Sequence, residues 1–256
     1  MCGDNPRSKA TGRRSPIMRI LLINPNTSAD MTERIAAQAR RHCDPASEIV
    51  AVTASFGCEV VASRASYAIA AHAALDAFAR HAKGIDAVIL ACFGDPGLEA
   101  LREIAAVPVV GLLECAAQAV QRQDGPFGIV TAGSGWVPML RERILLTGQS
   151  AAFRGVFAIE GTGLSVSRAP ALFVDLLQAA VDRAVAAGVR TVILGGSSMA
   201  GMGSALDGTV DLIDPVEAAV GAALQQGAGL VRASCTARPA IASSGLGRDL
   251  ESLLGG

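Results

Sequence analysis

Cys92 is the side chain with the clearest capacity for chemistry in this 256-residue sequence. It ends a short apolar run and precedes Phe-Gly-Asp-Pro, in which Asp95 and the following proline predict the N-cap and first turn of a helix over 96–104. Backbone N–H groups at a helix N-terminus favour a thiolate, whereas the Asp95 carboxylate opposes it. A cysteine at a strand end can also be a small buried hydrophobic residue. The adjacent glycine and N-cap favour a thiol that transfers protons.

Small and polar residues follow three other predicted strands. The segments are Asn-Pro-Asn-Thr-Ser at 24–28, Thr-Ala-Gly-Ser-Gly at 131–135 and Gly-Gly-Ser-Ser at 195–198. Loops of this kind cap helices, and they also let side chains and backbone amides approach a polar or anionic group closely. The expected substrate-binding residues, including the two that follow the thiol, are Asn24, Asn26, Thr27, Phe93, Gly94, Thr131, Gly196, Ser197 and Ser198.

Several familiar catalytic schemes do not fit the sequence. It contains neither a G-x-x-x-x-G-K-[ST] phosphate loop nor a G-x-G-x-x-G dinucleotide loop after the first strand. No histidine follows His81, so neither serine of the 195–198 loop has the downstream histidine that a serine hydrolase needs. The six cysteines are at least fifteen residues apart, which excludes a C-x-x-C pair. We therefore expect no metal and no cofactor, and proton transfer by a thiol remains.

The elements that position these residues alternate between short β-branched runs and longer Ala-rich segments of helical periodicity. Runs that are apolar on both faces belong in a parallel sheet covered by helices, so the pattern predicts an α/β fold. The predicted strands are 20–23, 49–53, 87–91, 107–111, 127–131, 156–159, 191–194 and 210–213. The predicted helices are 29–40, 64–83, 96–104, 136–147, 170–187 and 215–225.

The two halves of the chain resemble each other. Gly84–Cys92 aligns with Gly188–Gly196 at an offset of 104 residues, and Val107–Glu114 aligns with Val210–Glu217 at an offset of 103. Two short βα units can also look alike by chance. A true repeat predicts two α/β lobes about a pseudo-twofold axis, with a ligand cleft beyond the carboxyl ends of the strands. The loops expected to converge on that cleft are 24–28, 92–95, 131–135 and 196–199.

This repeat also predicts how the chain divides. The first α/β lobe is expected to contain residues 18–125 plus 205–225, and the second to contain residues 126–204. Residues 1–17, with a local charge of +3, predict a disordered basic N-terminal tail, and residues 226–256 predict a loose C-terminal tail.

Composition and charge limit the partners and the compartment. The residues are 51% hydrophobic and the net charge is −1, which disfavours a nucleic-acid partner. No uncharged apolar run is long enough to span a membrane, so we expect no membrane partner. Six cysteines without a secretory signal predict a cytoplasmic protein with free thiols. The partner that remains is a small-molecule substrate.

Three motifs together carry a resemblance to a known family. Ile23–Ser28, Ala91–Leu98 and Leu194–Gly201 resemble the aspartate/glutamate/hydantoin racemase superfamily, and in particular its hydantoin and allantoin racemase-like branch. The resemblance covers about residues 18–225. It implies two pseudo-symmetric lobes, no cofactor and a homo-oligomer. It also implies two cysteines on opposite faces of a chiral carbon, one removing the α-proton and the other returning a proton through an enolate.

In that resemblance Cys92 corresponds to the base of the first lobe, and the second cysteine of the family falls on Gly196. Glycine cannot transfer a proton, so this difference from the family pattern leaves three hypotheses about function. One is a racemase or epimerase of a hydantoin-like or amino-acid-like carbon acid, with water, Ser197 or Ser198 assisting opposite Cys92. The second is a one-cysteine decarboxylase similar to arylmalonate decarboxylase, which keeps the cysteine of the other lobe. The third is a catalytically degenerate ligand-binding protein. The motifs favour the first.

Overall fold

A computed structural model describes residues 18–123, 125–208, 210–229 and 242–255. Within these residues the chain forms two four-stranded parallel sheets, with strand orders β2-β1-β3-β4 and β6-β5-β7-β8. The strands are β1 (Met18–Asn24), β2 (Ser47–Thr53), β3 (Ala87–Leu90), β4 (Val109–Gly111), β5 (Phe127–Ala132), β6 (Phe153–Ile159), β7 (Thr191–Leu194) and β8 (Asp211–Ile213). The predicted α/β class with two pseudo-symmetric lobes is confirmed.

Helices cover both faces of the sheets. They are α1 (Ala29–His42), α2 (Arg64–His81), α3 (Leu98–Ile104), α4 (Leu112–Gln121), α5 (Trp136–Leu146), α6 (Gly163–Arg168), α7 (Val174–Ala186), α8 (Pro215–Ala228) and α9 (Arg248–Gly255). Short 3-10 turns are formed by Pro170–Phe173, Ser197–Met199 and Met202–Ala205. Three of the helices, α4, α6 and α9, were not predicted from the sequence.

The registers of the two sheets reproduce the internal repeat. Val88 pairs with Val109 in the first sheet, and Val192 pairs with Leu212 in the second, which are the same offsets of 104 and 103 residues found in the sequence. β1 and β5 correspond in the same way, because both are central strands whose neighbours lie in the same order. Cys92 and Gly196 therefore follow equivalent strands in the two lobes.

Burial explains why these runs became strands. β3 and β7 are buried along their whole length, and so is nearly all of β1, because helices lie on both faces of each sheet. One apolar core joins the facing sides of the two lobes and includes Ile20, Leu113, Phe127 and Val220. Two further cores lie on the outer sides, under α7 in the second lobe and under α2 and α3 in the first. The shared core fixes the relative position of the two sets of strand ends.

The predicted lobe boundaries need correction at residues 205–225. β8 pairs with β7 and so belongs to the second sheet, whereas α8 packs on α1, α4 and β3 of the first lobe. The chain therefore crosses between lobes at Asp214. β8 before this residue pairs with a strand of the second lobe, and α8 after it packs on the first lobe. The predicted loose tail is wrong for residues 248–255, since α9 packs on α2 and buries Leu250. Residues 1–17 lie outside the described part.

Within the described ranges, none of the helices is both long and apolar enough to cross a membrane.

Candidate active site

A cavity lies where the carboxyl ends of the central strands of both sheets meet. This is the position at which open α/β folds collect ligands. The lining residues are Asn26, Met31, Val60, Val61, Cys92, Phe93, Thr131, Ala132, Trp136, Gly163, Gly195, Gly196, Ser197 and Ser198. All four loops that were expected to converge contribute to it.

Most of the residues predicted from the sequence line this cavity, but three do not. Those that line it are Asn26, Cys92, Phe93, Thr131, Gly196, Ser197 and Ser198. Asn24, Thr27 and Gly94 are not among the lining residues. The sequence reasoning missed Met31, Val60 and Val61, which come from a helix face and from a segment without periodicity. The backbone N–H of Thr27 donates to the carbonyl of Cys58, and this bond holds the 58–61 segment against the first loop.

The Asn24 side chain holds together the loop of residues 24–28 that follows β1. The side chain is fully buried, and its amide N–H groups donate to Asn26 Oδ1 (2.8 Å), the Ser28 carbonyl (3.1 Å) and Thr32 Oγ1 (2.9 Å). Asn26 Oδ1 also accepts from the backbone N–H of Ser28, so the oxygen of this side chain is occupied. Among the described residues, the sulfur of Met31, a weak acceptor, is the one hydrogen-bond partner of the Asn26 amide nitrogen, which therefore retains donor capacity.

Cys92 lines the cavity, and the residue is 5% exposed. It packs with Val61 and Ala70 of the first lobe and contacts a wall formed by Tyr67 and Trp136. Burial raises the pKa of the Cys92 thiol well above its ordinary value, and the nearby Asp95 carboxylate raises it further. Burial and the Asp95 charge therefore favour the thiol over the thiolate, against the helix N-terminal effect that the sequence suggests.

Asp95 does not cap α3 as the sequence predicted. The N-cap of α3 is Gly97, in the left-handed region, and Asp95 itself has a φ of +57°. Its buried carboxylate instead accepts hydrogen bonds from the backbone N–H groups of Leu113 (3.1 Å) and Glu114 (2.9 Å) in the first turn of α4. The pattern Asp-Pro-Gly predicts a local cap, because nothing in the neighbouring sequence indicates the distant α4 amides.

The two serines opposite Cys92 differ in their hydrogen bonding. The Ser197 hydroxyl donates to the Ala91 carbonyl (3.1 Å), which ties the loop after β7 to the residue before Cys92. For the Ser198 hydroxyl, no hydrogen bond to another described residue is present, and its oxygen lies 3.6 Å from the point where a Cβ on Gly196 would be. Ser198 is therefore the serine with a hydroxyl free to meet a ligand.

The cavity wall carries no formal charge among its described residues, and the donors that face it are neutral amide and hydroxyl groups. Phe93 and Trp136 supply aromatic surface, and Trp136 lies directly over the Cys92 loop, where a Cβ on Gly94 would come within 2.7 Å of its ring. The described residues also contain no group of three or more His, Cys, Asp or Glu side chains suited to a metal ion. The described lining therefore combines neutral hydrogen-bond donors with aromatic surface.

The buried Asp95 carboxyl should make stability depend on pH. Burial raises its pKa to about 7, although the two α4 amides and Arg143 lower it. The folded state then holds this proton more tightly than the unfolded chain. The resulting contribution to the free energy of unfolding is therefore fully present below pH 4 and is lost as the pH rises through 7. We expect a loss of roughly 1–4 kcal/mol between these limits.

Urea unfolding of the wild type and of Asp95→Asn between pH 4 and 8 measures this contribution. The variant should lack the fall in unfolding free energy over that interval, since an amide does not titrate. Equal pH dependence in both proteins would show that Asp95 ionises normally.

Comparisons with known proteins agree with this geometry. A family model described as Asp/Glu/Hydantoin racemase matches residues 20–223. A hydantoin racemase of Paenarthrobacter aurescens is 33% identical over 211 residues, which covers 79% of this chain and 88% of that protein. An allantoin racemase structure from Klebsiella pneumoniae has a TM-score of 0.83 and 31% identity, covering 92% of this chain and 98% of that one. The allantoin racemase structure from Pseudomonas fluorescens has a TM-score of 0.80 and 32% identity, covering 87% and 98%.

Proposed function

The chain belongs to the Asp/Glu/hydantoin racemase family of isomerases, and from that premise we propose that it racemises an uncharged, hydantoin-like cyclic carbon acid by proton transfer at Cys92. The observation that carries the proposal is the position of Cys92. It lines a cavity between two mirrored lobes, directly opposite the 195–198 loop that follows the equivalent strand. A carbon held between them presents one face to the thiol and the other to Gly196 and Ser198.

The neutral wall supports a cyclic ureide over a free amino acid. A zwitterion would bring a carboxylate and an ammonium into a cavity whose described lining offers no opposite charge, and unpaired buried charges are costly. A hydantoin ring has two carbonyl acceptors, which suit the amide of Asn26 and the hydroxyls of Thr131 and Ser198. An apolar substituent on its chiral carbon suits the Phe93 and Trp136 surface.

The proton route follows from these positions. Cys92 first loses its thiol proton to solvent; as a thiolate it then takes the proton from the chiral carbon and becomes a thiol again, and the electron pair of the broken C–H bond moves into an enolate. The small residues Gly195 and Gly196 let backbone amides approach the enolate oxygen. A water held by Ser198 gives its proton to the opposite face, and the resulting hydroxide and the Cys92 thiol exchange one proton through solvent. Because water is a weak acid, this second transfer is expected to be the slower one.

A one-cysteine decarboxylase is the second candidate. Two features favour it: burial raises the pKa of the Cys92 thiol and so favours its protonated form, and Gly196 provides no second thiol. A protonated thiol is the form that delivers a proton to an enolate left by loss of CO₂. In this reading Cys92 acts on one face only, so the product is a single enantiomer.

Incubation of single enantiomers in deuterated water at neutral pH distinguishes the candidates. The probe is 5-benzylhydantoin, and the matched control is its ring-opened form, N-carbamoyl-phenylalanine, which adds a carboxylate to the same skeleton. We expect racemisation with deuterium at the chiral carbon of the hydantoin, at a rate about 100-fold above that of the anionic control. Chiral chromatography and mass spectrometry measure both rates against an enzyme-free blank.

Other outcomes assign the other candidates. Release of CO₂ from 2-methyl-2-phenylmalonate, without racemisation of the hydantoin, would establish the lyase. Binding of the hydantoin without hydrogen exchange would establish a ligand-binding protein. Faster turnover of the carbamoyl acid would contradict the neutral-substrate assignment.

A further inference from the structure

The N-caps of α4 and α8 occupy equivalent places in the two lobes but are built differently. β4 leads into α4 at Gly111, and β8 leads into α8 at Asp214, with the registers relating these residues by the same offset of 103. After β8 of the second lobe, Asp214 caps the helix that follows it, α8, by accepting from the N–H groups of Val216 (2.8 Å) and Glu217 (3.4 Å). In the first lobe, Gly111 has no side chain to do this.

The carboxylate of Asp95 fills the space of the missing cap. A Cβ on Gly111 would lie 2.4 Å from the Asp95 Cγ, so the two positions cannot both hold a side chain. Asp95 accepts from the N–H groups of Leu113 and Glu114, which are the second and third helical residues, as Val216 and Glu217 are in α8. Gly111 has φ −106° and ψ 153°, a conformation open to any residue. Glycine is therefore required there by Asp95 and not by the backbone.

Because Asp95 caps α4, it connects this helix to the turn formed by residues 92–95, called here the catalytic turn. The backbone N–H of Asp95 donates to the carbonyl of Cys92 (3.0 Å), so the two residues close one turn. The Tyr67 hydroxyl donates to the carbonyls of Gly94 (2.8 Å) and Asp95 (3.2 Å) and holds the same turn from α2. Asp95 is also the non-glycine residue with positive φ among the described residues, a strained state that persists only when its surroundings enforce it.

We propose that Asp95 is a positioning residue for Cys92: by capping α4 from within the catalytic turn, it fixes the thiol relative to the 195–198 loop. The expected effect of Asp95 on substrate turnover rests on the proposed function, whereas its expected effect on the reactivity of the Cys92 thiol does not. The helix cap alone could have been supplied by an aspartate at 111, as it is at 214. Because the cap comes from Asp95 instead, the geometry of the catalytic turn depends on α4, which is packed in the core shared by the two lobes.

Transplanting the cap separates positioning from helix stability. Asp95→Gly should lower turnover of 5-benzylhydantoin roughly 100-fold and lower the melting temperature by roughly 2–4 °C. Adding Gly111→Asp to that variant places an aspartate where the second lobe has one, and the emptied space accepts it. The double variant should regain the melting temperature but not the turnover. If it regains both, Asp95 is only a helix cap and the proposal is wrong.

Alkylation of Cys92 tests the same link without any substrate. Six titratable or charged groups lie near the Asp95 carboxylate on the turn itself and on α2, α3, α4 and α5: Tyr67, Cys92, Arg102, Glu114, Cys115 and Arg143. Asp95→Asn keeps the side-chain shape and removes the charge, so the pH profile of iodoacetamide labelling at the Cys92 peptide should move to lower pH. Turnover should nevertheless fall, because one hydrogen bond to α4 is lost.

Asp214→Asn is the matched control, since it makes the same substitution at the equivalent helix cap, where the carboxylate also accepts from the Gln38 amide (2.7 Å) and the backbone N–H of Gly201 (3.2 Å). It should leave the labelling profile of Cys92 in place. An unchanged profile in Asp95→Asn, or an equal shift in Asp214→Asn, would overturn the assignment. If 5-benzylhydantoin proves not to be turned over, the labelling and melting measurements still decide whether Asp95 holds the turn.

Discussion

Replacement of Cys92 by serine is expected to lower racemisation of 5-benzylhydantoin by about 10³–10⁴-fold while leaving the fold and ligand binding intact. Serine preserves the size and the hydrogen-bonding capacity of the side chain. Its hydroxyl has a pKa far above that of a thiol, so it cannot take or return the proton of the carbon acid at neutral pH. The loss should appear in kcat and only weakly in KM, because the substituent changes the reacting group and not the wall of the cavity.

Cys115→Ser is the matched control for this change. Cys115 is also a buried thiol with a pKa raised to about 12, but it lies on α4 within the core and does not line the cavity. Its replacement should affect the melting temperature more than turnover. Full activity in Cys92→Ser, or an equal loss in Cys115→Ser, would remove Cys92 from the mechanism.

Replacement of Gly196 by cysteine is expected to raise racemisation about 10²-fold, the largest gain that the structure predicts. A thiol at 196 would lie on the face of the substrate opposite Cys92 and would replace water as the second acid. A Cβ there would come within 3.1 Å of the terminal methyl of Met199, which can move, whereas a Cβ on Gly195 would lie 2.5 Å from Ile129 and Phe93. Gly196 has a φ of +159°, so a small backbone adjustment accompanies the change.

Gly196→Ser separates the thiol from the added bulk. It should show the same adjustment, measured as the same change in melting temperature, without the gain in rate. If Gly196→Cys is no faster than Gly196→Ser, the missing second thiol does not limit the reaction.

The architecture followed from the sequence because its signal was local and repeated. β7 was predicted with its observed bounds, and the offsets of 104 and 103 residues reappear as pairing registers, since a buried parallel strand reads as a continuous β-branched run. The convergence of Cys92 with the 195–198 loop followed from the same repeat. These features depend on residues that are neighbours in the sequence or equivalent in the two halves.

The remaining features depend on contacts between distant segments. α4 begins directly after β4 with Gly111 as its cap, so the sequence gives no start signal, and its actual cap is sixteen residues earlier at Asp95. Val60 and Val61 reach the cavity through a backbone bond between Cys58 and Thr27. Asn24 was assigned to binding by its type, but three hydrogen bonds direct its amide into the loop. Where these helix caps, lining residues and side-chain hydrogen bonds form is decided by tertiary packing.

Hydrogen exchange measured separately for the two enantiomers of 5-benzylhydantoin tests the one-thiol account most directly. In deuterated water, the enantiomer whose proton faces Cys92 should lose that proton faster than it inverts, because the thiol exchanges the abstracted proton with solvent and returns a deuteron to the same face before water delivers one to the other face. The opposite enantiomer should exchange no faster than it inverts. Cys92→Ser should abolish the fast exchange. Equal exchange and inversion in both enantiomers, or fast exchange that survives in Cys92→Ser, would contradict the assignment of a single thiol acting on one face.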